Sequence, residues 1–233
     1  MSKSTTSLAE NLQQVMARIR AAEQRFDREA GSVALLAVSK TFPADVLREL
    51  ALLGVDQFGE NYLQEALDKQ KQLADVPICW HFIGPLQSNK SRAVAEQFTW
   101  LHSLDRLKLA SRLSQQRPSD LVPLNICLQV NVSGESSKSG ITIAEAPALA
   151  EQVAELPGLR LRGVMAIPAT SQNCDEQRRA FAKVRECYQQ LIDNGHRLDT
   201  LSMGMSGDLE AAVAEGATIV RIGSALFGAR NYQ

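Results

Sequence analysis

Short apolar segments alternate with amphipathic segments along most of this chain. The segment VALLAVSK (33–40) contains six consecutive apolar residues without helical spacing, which is typical of a strand buried on both faces. The segment that follows it, TFPADVLREL (41–50), has a proline-led helix start. The same pair of patterns recurs and predicts eight strand–helix units, with strands in 33–40, 55–61, 78–84, 99–104, 123–132, 159–167, 198–203 and 218–223.

The N-terminal segment predicts a helix that precedes the first strand. Ser7 and Glu10 have the S-x-x-E spacing of a capping box, and apolar residues then recur at intervals of three and four as far as Phe26. We place this helix at 7–30.

Eight alternating units predict a parallel sheet with right-handed crossovers, for which two architectures are open. A doubly wound open sheet usually has a glycine-rich turn after its first strand, but the turn here is SKTFPAD (39–45), without a GxGxxG pattern. We therefore favour an α/β fold with a single (β/α)₈ TIM barrel at 33–228 and the extra N-terminal helix. The chain has 233 residues, and such barrels take roughly 200–250 as one domain, so we expect one domain over 1–233.

Composition excludes several classes of function. The chain has 25 Lys and Arg against 26 Asp and Glu, a formal net charge of −1, which argues against binding nucleic acid or an anionic membrane. The longest apolar run is six residues, far from the ~20 that span a bilayer, and the polar start MSKSTTSLAENLQQ has no signal-peptide core. We expect a cytoplasmic protein.

Metal binding is not expected. The four cysteines form no CxxC pair, and the three histidines form no HExxH pattern. Cys79 and Cys127 lie in predicted strands, where reduced structural thiols are the usual interpretation.

In a (β/α)₈ barrel the residues at the C-terminal ends of the strands form the site. Lys40 ends the first predicted strand, and it either extends its charge to the rim or is partly desolvated. Desolvation lowers the pKa of a lysine amine, and a neutral amine forms imines with aldehydes. Both interpretations of Lys40 stay open on this pattern alone.

The loops after the last two strands, MGMSGD (203–208) and RIGSALFG (221–228), occupy a frequent phosphate-binding position of this fold. Ser206 and Ser224 are hydroxyl donors there, and Gly204, Gly207 and Gly223 permit close approach of the backbone. The alternative is that they are ordinary capping serines and turn glycines. With Lys40, these loops predict a pocket for a phosphorylated aldehyde, either a sugar phosphate or pyridoxal 5′-phosphate (PLP).

Long motifs over nearly the whole chain resemble the pyridoxal phosphate homeostasis protein family. Members of this family are fold-type III PLP proteins, each a single barrel related to the N-terminal domain of alanine racemase. The motifs are LLAVSK (35–40), FGENYLQE (58–65), WHFIGPLQSNK (80–90), KSGI (138–141), LRGVMAIP (161–168), LSMGMSGDLEAA (201–212) and VRIGSALFGAR (220–230).

The resemblance implies PLP as cofactor, held as a covalent aldimine on Lys40. It also implies that Ser206, Gly223 and Ser224 hold the phosphate. Arg221 would face the pyridine nitrogen, as the arginine of the RPG motif does in the related racemases, although this sequence has RIG.

The same resemblance places Asn61 and Met203 along the ring pocket. An arginine at the pyridine nitrogen disfavours its protonation and makes the ring a weak electron sink. Racemisation also needs a second acid/base group, usually a tyrosine from another domain.

We therefore expect a non-enzymatic protein with no catalytic residues that buffers or delivers PLP in vitamin B6 homeostasis and so affects amino-acid and keto-acid metabolism. A PLP-dependent racemase is the first alternative and a Schiff-base aldolase the second. Partners would be PLP and, transiently, apo PLP enzymes, and we expect a monomer. Lys138 is either a solvated loop lysine or a transient second PLP contact. Tyr62 and His81 are either structural or weak acid/base groups.

Overall fold

The eight strands close into one parallel barrel. The computed structural model describes residues 7–134 and 139–228. Neighbours in the barrel follow chain order, and β1 pairs with both β2 and β8. The strands are β1 (Ala34–Val38), β2 (Gln57–Glu60), β3 (Cys79–Phe82), β4 (Trp100–Leu104), β5 (Leu124–Val130), β6 (Leu159–Ala166), β7 (Thr200–Ser202) and β8 (Ile219–Ile222). The predicted (β/α)₈ barrel is confirmed.

Helices connect successive strands on the outside of the barrel. Short 3₁₀ turns at Ser88–Lys90 and Ile143–Glu145 precede two of them. The α-helices are α1 (Leu8–Arg25), α2 (Ala44–Leu52), α3 (Leu63–Gln72), α4 (Ser91–Gln97), α5 (Leu107–Gln116), α6 (Ala146–Ala154), α7 (Cys174–Asp193), α8 (Leu209–Ala214) and α9 (Ser224–Phe227).

The N-terminal helix is shorter than predicted. Ser7 caps α1 in a complete capping box with Glu10, as expected, but the helix ends at Arg25 rather than at residue 30. The chain leaves the helix at Asp27, whose φ of 51° is left-handed. The Arg28 amide then donates a hydrogen bond to the carbonyl of Glu23 at 2.8 Å, which closes the end of the helix. The predicted end at residue 30 was therefore too late, because this turn stops the helix just before Phe26, the last residue of the apolar spacing.

Two apolar regions hold the barrel. The larger lies between the strands and the surrounding helices. The smaller consists of Trp100, Cys127 and Met165 with Cys79 beside them, one residue from each of β3 to β6. All four cysteines are free thiols; Cys127 is buried and Cys79 half-buried, so the structural interpretation of both stays a prediction.

Strand register determines which loops meet at the C-terminal end of the barrel. Leu36 of β1 lies opposite Arg221 of β8, and Ala37 lies opposite Ile222. Because the strands are parallel, the loop after β1, which contains Lys40, and the loop after β8 emerge side by side. An aromatic contact joins these loops, since the rings of Phe42 and Phe227 stack with centroids 4.5 Å apart.

Candidate functional site

A cavity of about 310 Å³ opens at the C-terminal ends of β1 to β3 and β6 to β8. Its volume falls within the usual range of small-molecule sites. Six of the seven residues predicted to bind the cofactor line it. The lining consists of Val38, Lys40, Asn61, Ile83, Ile167, Met205, Ser206, Gly207, Arg221, Gly223 and Ser224.

The backbone that presents Lys40 is in an unusual conformation. Lys40 lies two residues beyond the end of β1, and Thr41 after it has a φ of 70°. A β-branched residue is strained in this left-handed region, so other contacts must hold it there. One such contact is the Thr41 amide, which donates to Oε1 of Glu65 at 2.6 Å.

A buried ionic cluster holds the residue on the other side of Lys40. The Nζ of Lys69 donates to the backbone oxygen of Ser39 at 2.8 Å and to Oε1 of Glu60 at 2.7 Å, and it also pairs with Glu65. The hydroxyl of Ser39 donates to the same Glu60 oxygen at 2.6 Å. Burial raises the pKa of Glu60, although Lys69 and Ser39 oppose that effect. The cluster therefore anchors the segment 39–41 on both sides of Lys40.

Arg221 is a buried cation at the floor of the cavity. Only 4% of it is exposed, and burial lowers its pKa to about 10, so it remains charged at neutral pH. Its Nη1 donates to the backbone oxygen and the hydroxyl of Ser202, at 2.6 and 2.8 Å, and Nη2 donates to the carbonyl of Ala166 at 2.9 Å. These bonds to β6 and β7 hold the guanidinium in one orientation.

Two hydroxyl groups face each other beside the cavity. The Oγ atoms of Ser206 and Ser224 are 3.4 Å apart, although the residues are 18 positions apart in the sequence. The loop carrying Ser206 is held from outside by Arg18 of α1, whose Nη2 donates to the Ser206 carbonyl at 3.1 Å. Within that loop the amide of Met205 donates to Oδ1 of Asp208 at 2.6 Å. The two loops that the sequence predicts as a phosphate site therefore lie side by side.

Asn61 brings an unsatisfied polar atom to the cavity. Its Oδ1 is buried and has no hydrogen-bond partner among the described residues. A Cβ atom at Gly84 would collide with the backbone of Asn61, so this glycine allows the loop after β3 to pack against Asn61. Because an amide oxygen only accepts, a ligand satisfies Asn61 Oδ1 by donating to it, which fits a ring with a hydroxyl substituent such as that of PLP.

Met203 does not line the cavity. Its side chain is fully buried in the core, and its amide continues the strand by donating to the carbonyl of Ile219 at 3.1 Å. Met205, two residues further and 37% exposed, lines the cavity instead. The prediction of Met203 as a ring contact is therefore not supported, because the strand extension turns that side chain into the core.

The remaining candidates have these positions. Tyr62 precedes α3 and is 56% exposed, and His81 is fully buried in the barrel. Lys138 lies outside the described residues. Within 7–134 and 139–228, no group of three metal-ligating side chains occurs, and no helix is both long and apolar enough to cross a membrane.

Known proteins are similar to this chain in sequence over nearly its full length. The family model of the alanine racemase N-terminal domain matches residues 10–231. The pyridoxal phosphate homeostasis protein of Pseudomonas aeruginosa is 61% identical over 227 residues, covering 97% of each chain. The protein of the same name from Escherichia coli is 51% identical over 228 residues, again covering 97% of each.

Solved structures share the fold. PipY of Synechococcus elongatus, with PLP bound, has a TM-score of 0.84 at 38% identity and covers 95% of this chain and 100% of its own. Alanine racemase from Corynebacterium glutamicum has a TM-score of 0.71 at 19% identity, covering 94% of this chain and 62% of its own, a likeness of fold alone.

Fold and site together define a (β/α)₈-barrel protein with a lysine, a buried arginine and paired serines at the C-terminal rim. The chain belongs to the alanine racemase N-terminal domain family and, within it, to the pyridoxal phosphate homeostasis proteins.

Several residues around the site were not identified from the sequence. His102 lies inside the barrel and bonds to Ser202, the strand-end serine that accepts from Arg221. Lys69 donates to the carbonyl of Ser39, the residue before Lys40. One signal was available for His102: it follows Trp100 by two positions in a predicted strand, and alternation places both on the inner face. Nothing local distinguishes Lys69 from Lys71, the other lysine of α3.

Proposed function

We propose that this protein binds PLP in the cavity at the C-terminal rim and serves in intracellular PLP homeostasis by buffering or delivering the cofactor. The observation that carries the proposal is that one cavity brings together Lys40, Arg221 and the Ser206–Ser224 pair. These groups match an aldehyde, a pyridine ring and a phosphate. The names of the relatives and the PLP-bound structure of PipY support the same function.

Each part of PLP has a proposed partner in this cavity. The phosphate is held by the hydroxyls of Ser206 and Ser224 and by the backbone at Gly223. The ring lies beside Asn61, and its nitrogen faces Arg221. These assignments are supported by the positions of the residues in one lining.

Lys40 is the proposed covalent attachment point. Its amine nitrogen attacks the aldehyde carbon, a C=N bond forms, and the aldehyde oxygen leaves as water, so no oxidant or reductant is needed. The bond is reversible by hydrolysis, which suits a protein that takes up and releases its ligand.

We propose that the bound cofactor does not turn over substrates. A cation at the pyridine nitrogen opposes its protonation and weakens the electron-withdrawing capacity of the ring. Racemisation also needs a second proton-transfer group near the reacting carbon. Among the described lining residues, Lys40 and Arg221 are the only ones with a titratable side chain.

Further properties stay predictions. We propose a single domain over 1–233, a monomer, a cytoplasmic location, no resident metal, no nucleic-acid or membrane partner, and transient contact with apo PLP enzymes. Sedimentation and subcellular fractionation would test the state of assembly and the location. Mixing the PLP-loaded protein with apo enzymes in the presence of a trap for free PLP would test direct delivery.

The binding proposal is tested with Lys40→Ala and the matched variant Lys108→Ala, which removes an exposed lysine from α5. After incubation with PLP and gel filtration, the wild type and Lys108→Ala should absorb as a protonated imine, and borohydride should fix PLP to Lys40 by peptide mapping. Lys40→Ala should show neither signal. A wild-type protein that stays colourless would refute PLP binding through Lys40.

The absence of turnover is tested by proton exchange. Amino acids are incubated with the loaded protein in deuterated water, and exchange of the α-proton is followed by NMR. We expect no exchange above that given by free PLP. Rapid exchange that depends on Lys40 would establish a racemase-like enzyme instead.

A further inference from the structure

A line of hydrogen-bonded side chains crosses the interior of the barrel and ends at Arg221. It begins with Cys79 and His81 on β3, continues through His102 on β4 and Ser202 on β7, and reaches Arg221 on β8. Both histidines and Ser202 are fully buried. We call these five residues the interior relay.

The distances are those of direct hydrogen bonds for all links but the outermost. His81 Nδ1 is 2.9 Å from His102 Nε2, and His102 Nδ1 is 2.9 Å from Ser202 Oγ. Arg221 Nη1 is 2.8 Å from the same Oγ. The outer link, from His81 Nε2 to the sulfur of Cys79, is 3.4 Å long, as suits a sulfur partner.

The charge of Arg221 determines the direction of the protons along the relay. A guanidinium only donates, so Ser202 Oγ accepts from Arg221 and its own proton is available to His102 Nδ1. His102 then carries its proton on Nε2 and donates to His81 Nδ1, which leaves the His81 proton on Nε2, toward Cys79. In the reverse arrangement the Ser202 hydroxyl proton would be buried without an acceptor among the described residues.

Burial keeps both histidines neutral, as this arrangement requires. Burial lowers the pKa of His81 to about 3. Burial lowers the pKa of His102 well below its usual value, and the neighbouring His81 and the cation of Arg221 lower it further. A second proton on His102 would also place a donor against Ser202 Oγ, and the Ser202 hydroxyl proton would then lack an acceptor among the described residues.

Packing restricts the rings of the relay. The ring of Trp100 stacks on His81 with an interplanar angle of 7° and a centroid distance of 5.3 Å, and it also contacts His102. Trp100 also packs against Cys127 and Met165 in the smaller apolar region. The relay is therefore a fixed structure, because each ring is held both by hydrogen bonds and by an aromatic neighbour.

We propose that His81, His102 and Ser202 are positioning residues that hold Arg221 in the orientation it needs toward the ring of PLP. The proposal rests on the proposed function for its ligand. The relay acts at the hydroxyl of Ser202. Arg221 Nη1 donates both to this hydroxyl and to the backbone carbonyl of Ser202. Without this hydroxyl, the guanidinium keeps only its bonds to the carbonyls of Ser202 and Ala166, and its orientation is less restricted.

The first test needs no PLP. In protein labelled with ¹⁵N-histidine, the nitrogen shifts and long-range couplings at pH 7 should show His81 and His102 as neutral rings protonated at Nε2. In Ser202→Ala the preference of His102 for that form should weaken. A His102 that is charged, or protonated at Nδ1, in the wild type would overturn the proposal whether or not the protein binds PLP.

The second test measures the bound cofactor. Ser202→Ala and His102→Phe should weaken PLP binding by about tenfold, as the loss of one hydrogen bond to a charged group predicts. They should also shift the absorption maximum of bound PLP or its dependence on pH, which a remote packing defect would not do. Ser202→Thr, which keeps the hydroxyl, should restore the wild-type spectrum, and His196→Phe serves as the histidine control outside the barrel.

The outcomes separate the two proposals. If the wild type binds no PLP, the proposed function fails, while the ring nitrogens still decide whether the relay exists. If the wild type binds PLP and both Ser202→Ala and His102→Phe retain its affinity and spectrum, the positioning role is refuted. Should His102→Phe fail to fold, Ser202→Ala and its threonine counterpart decide the result.

Discussion

Replacing Lys69 by methionine should destabilise the protein more than any exposed lysine replacement. Lys69 is 4% exposed, and Glu60, to which it donates at 2.7 Å, is fully buried. Methionine keeps most of the length of the side chain but leaves the Glu60 carboxylate without its cation. Removing one partner of a buried pair costs about 3–5 kcal/mol, because the remaining charge stays in a medium that solvates it poorly.

The free energy of unfolding is measured by urea titration, with circular dichroism as the signal. The matched control is Arg48→Met, which breaks a pair with Asp75 whose side chains are 40% and 67% exposed and which should cost at most about 1 kcal/mol. The double variant Lys69→Met with Glu60→Gln should regain much of the lost stability, since no charge is then buried. A loss below about 1 kcal/mol in Lys69→Met, or no recovery in the double variant, would refute this account of the cluster.

The deficit should also depend on pH. Burial raises the pKa of Glu60 above its usual 4.5, and Lys69 opposes that effect, so removing Lys69 raises it further. A carboxyl whose pKa is higher in the folded state binds its proton more tightly there, so its ionisation lowers stability as the pH rises through that pKa. The gap between Lys69→Met and the wild type should therefore shrink as the pH falls from neutral toward 4.5. A constant gap would exclude the Glu60 charge as its cause.

Three further outcomes follow from single positions. Ser7→Ala removes the cap of α1 and should cost about 1 kcal/mol in thermal unfolding, with Ser7→Thr retaining most of the stability. Gly163→Ala would drive a methyl group into the carbonyl of Thr200 and should greatly reduce folded yield; a normally stable variant would contradict the close β6–β7 approach. A thiol reagent should label exposed Cys174 quickly, whereas Cys127, whose pKa burial raises to about 12, should react only on unfolding.

Much of the fold could be predicted because its signals are local. Eight apolar segments, each followed by an amphipathic one, indicate parallel strands with helical crossovers, and the structure has them in that order. The rim positions follow from the same signals, because parallel strands bring all their C-terminal ends to one side. Thus Lys40, Asn61, Ser206 and Ser224 were predicted to lie near one another and share one cavity lining.

Finer placement could not be predicted, because it depends on where each strand stops. Met203 and Met205 both follow β7 in a loop that the sequence marks only by its glycines. The extra pairing of the Met203 amide with Ile219 directs the first side chain inward and leaves the second at the cavity. The left-handed conformation of Thr41 could not be predicted from the local sequence either, because β-branched residues rarely adopt it.

By itself, the sequence determined the barrel, the rim lysine and the two loops that carry the serines, because each depends on residues within one strand–helix unit. Only the tertiary structure decided what supports them. Closure of the barrel brings His102 to Ser202 across 100 positions of the chain, and the packing of α3 brings Lys69 to the carbonyl of Ser39 across 30. The residues next to each of these side chains in the sequence do not indicate its partner. The interior relay and the ionic cluster beside Lys40 therefore form only when the barrel closes.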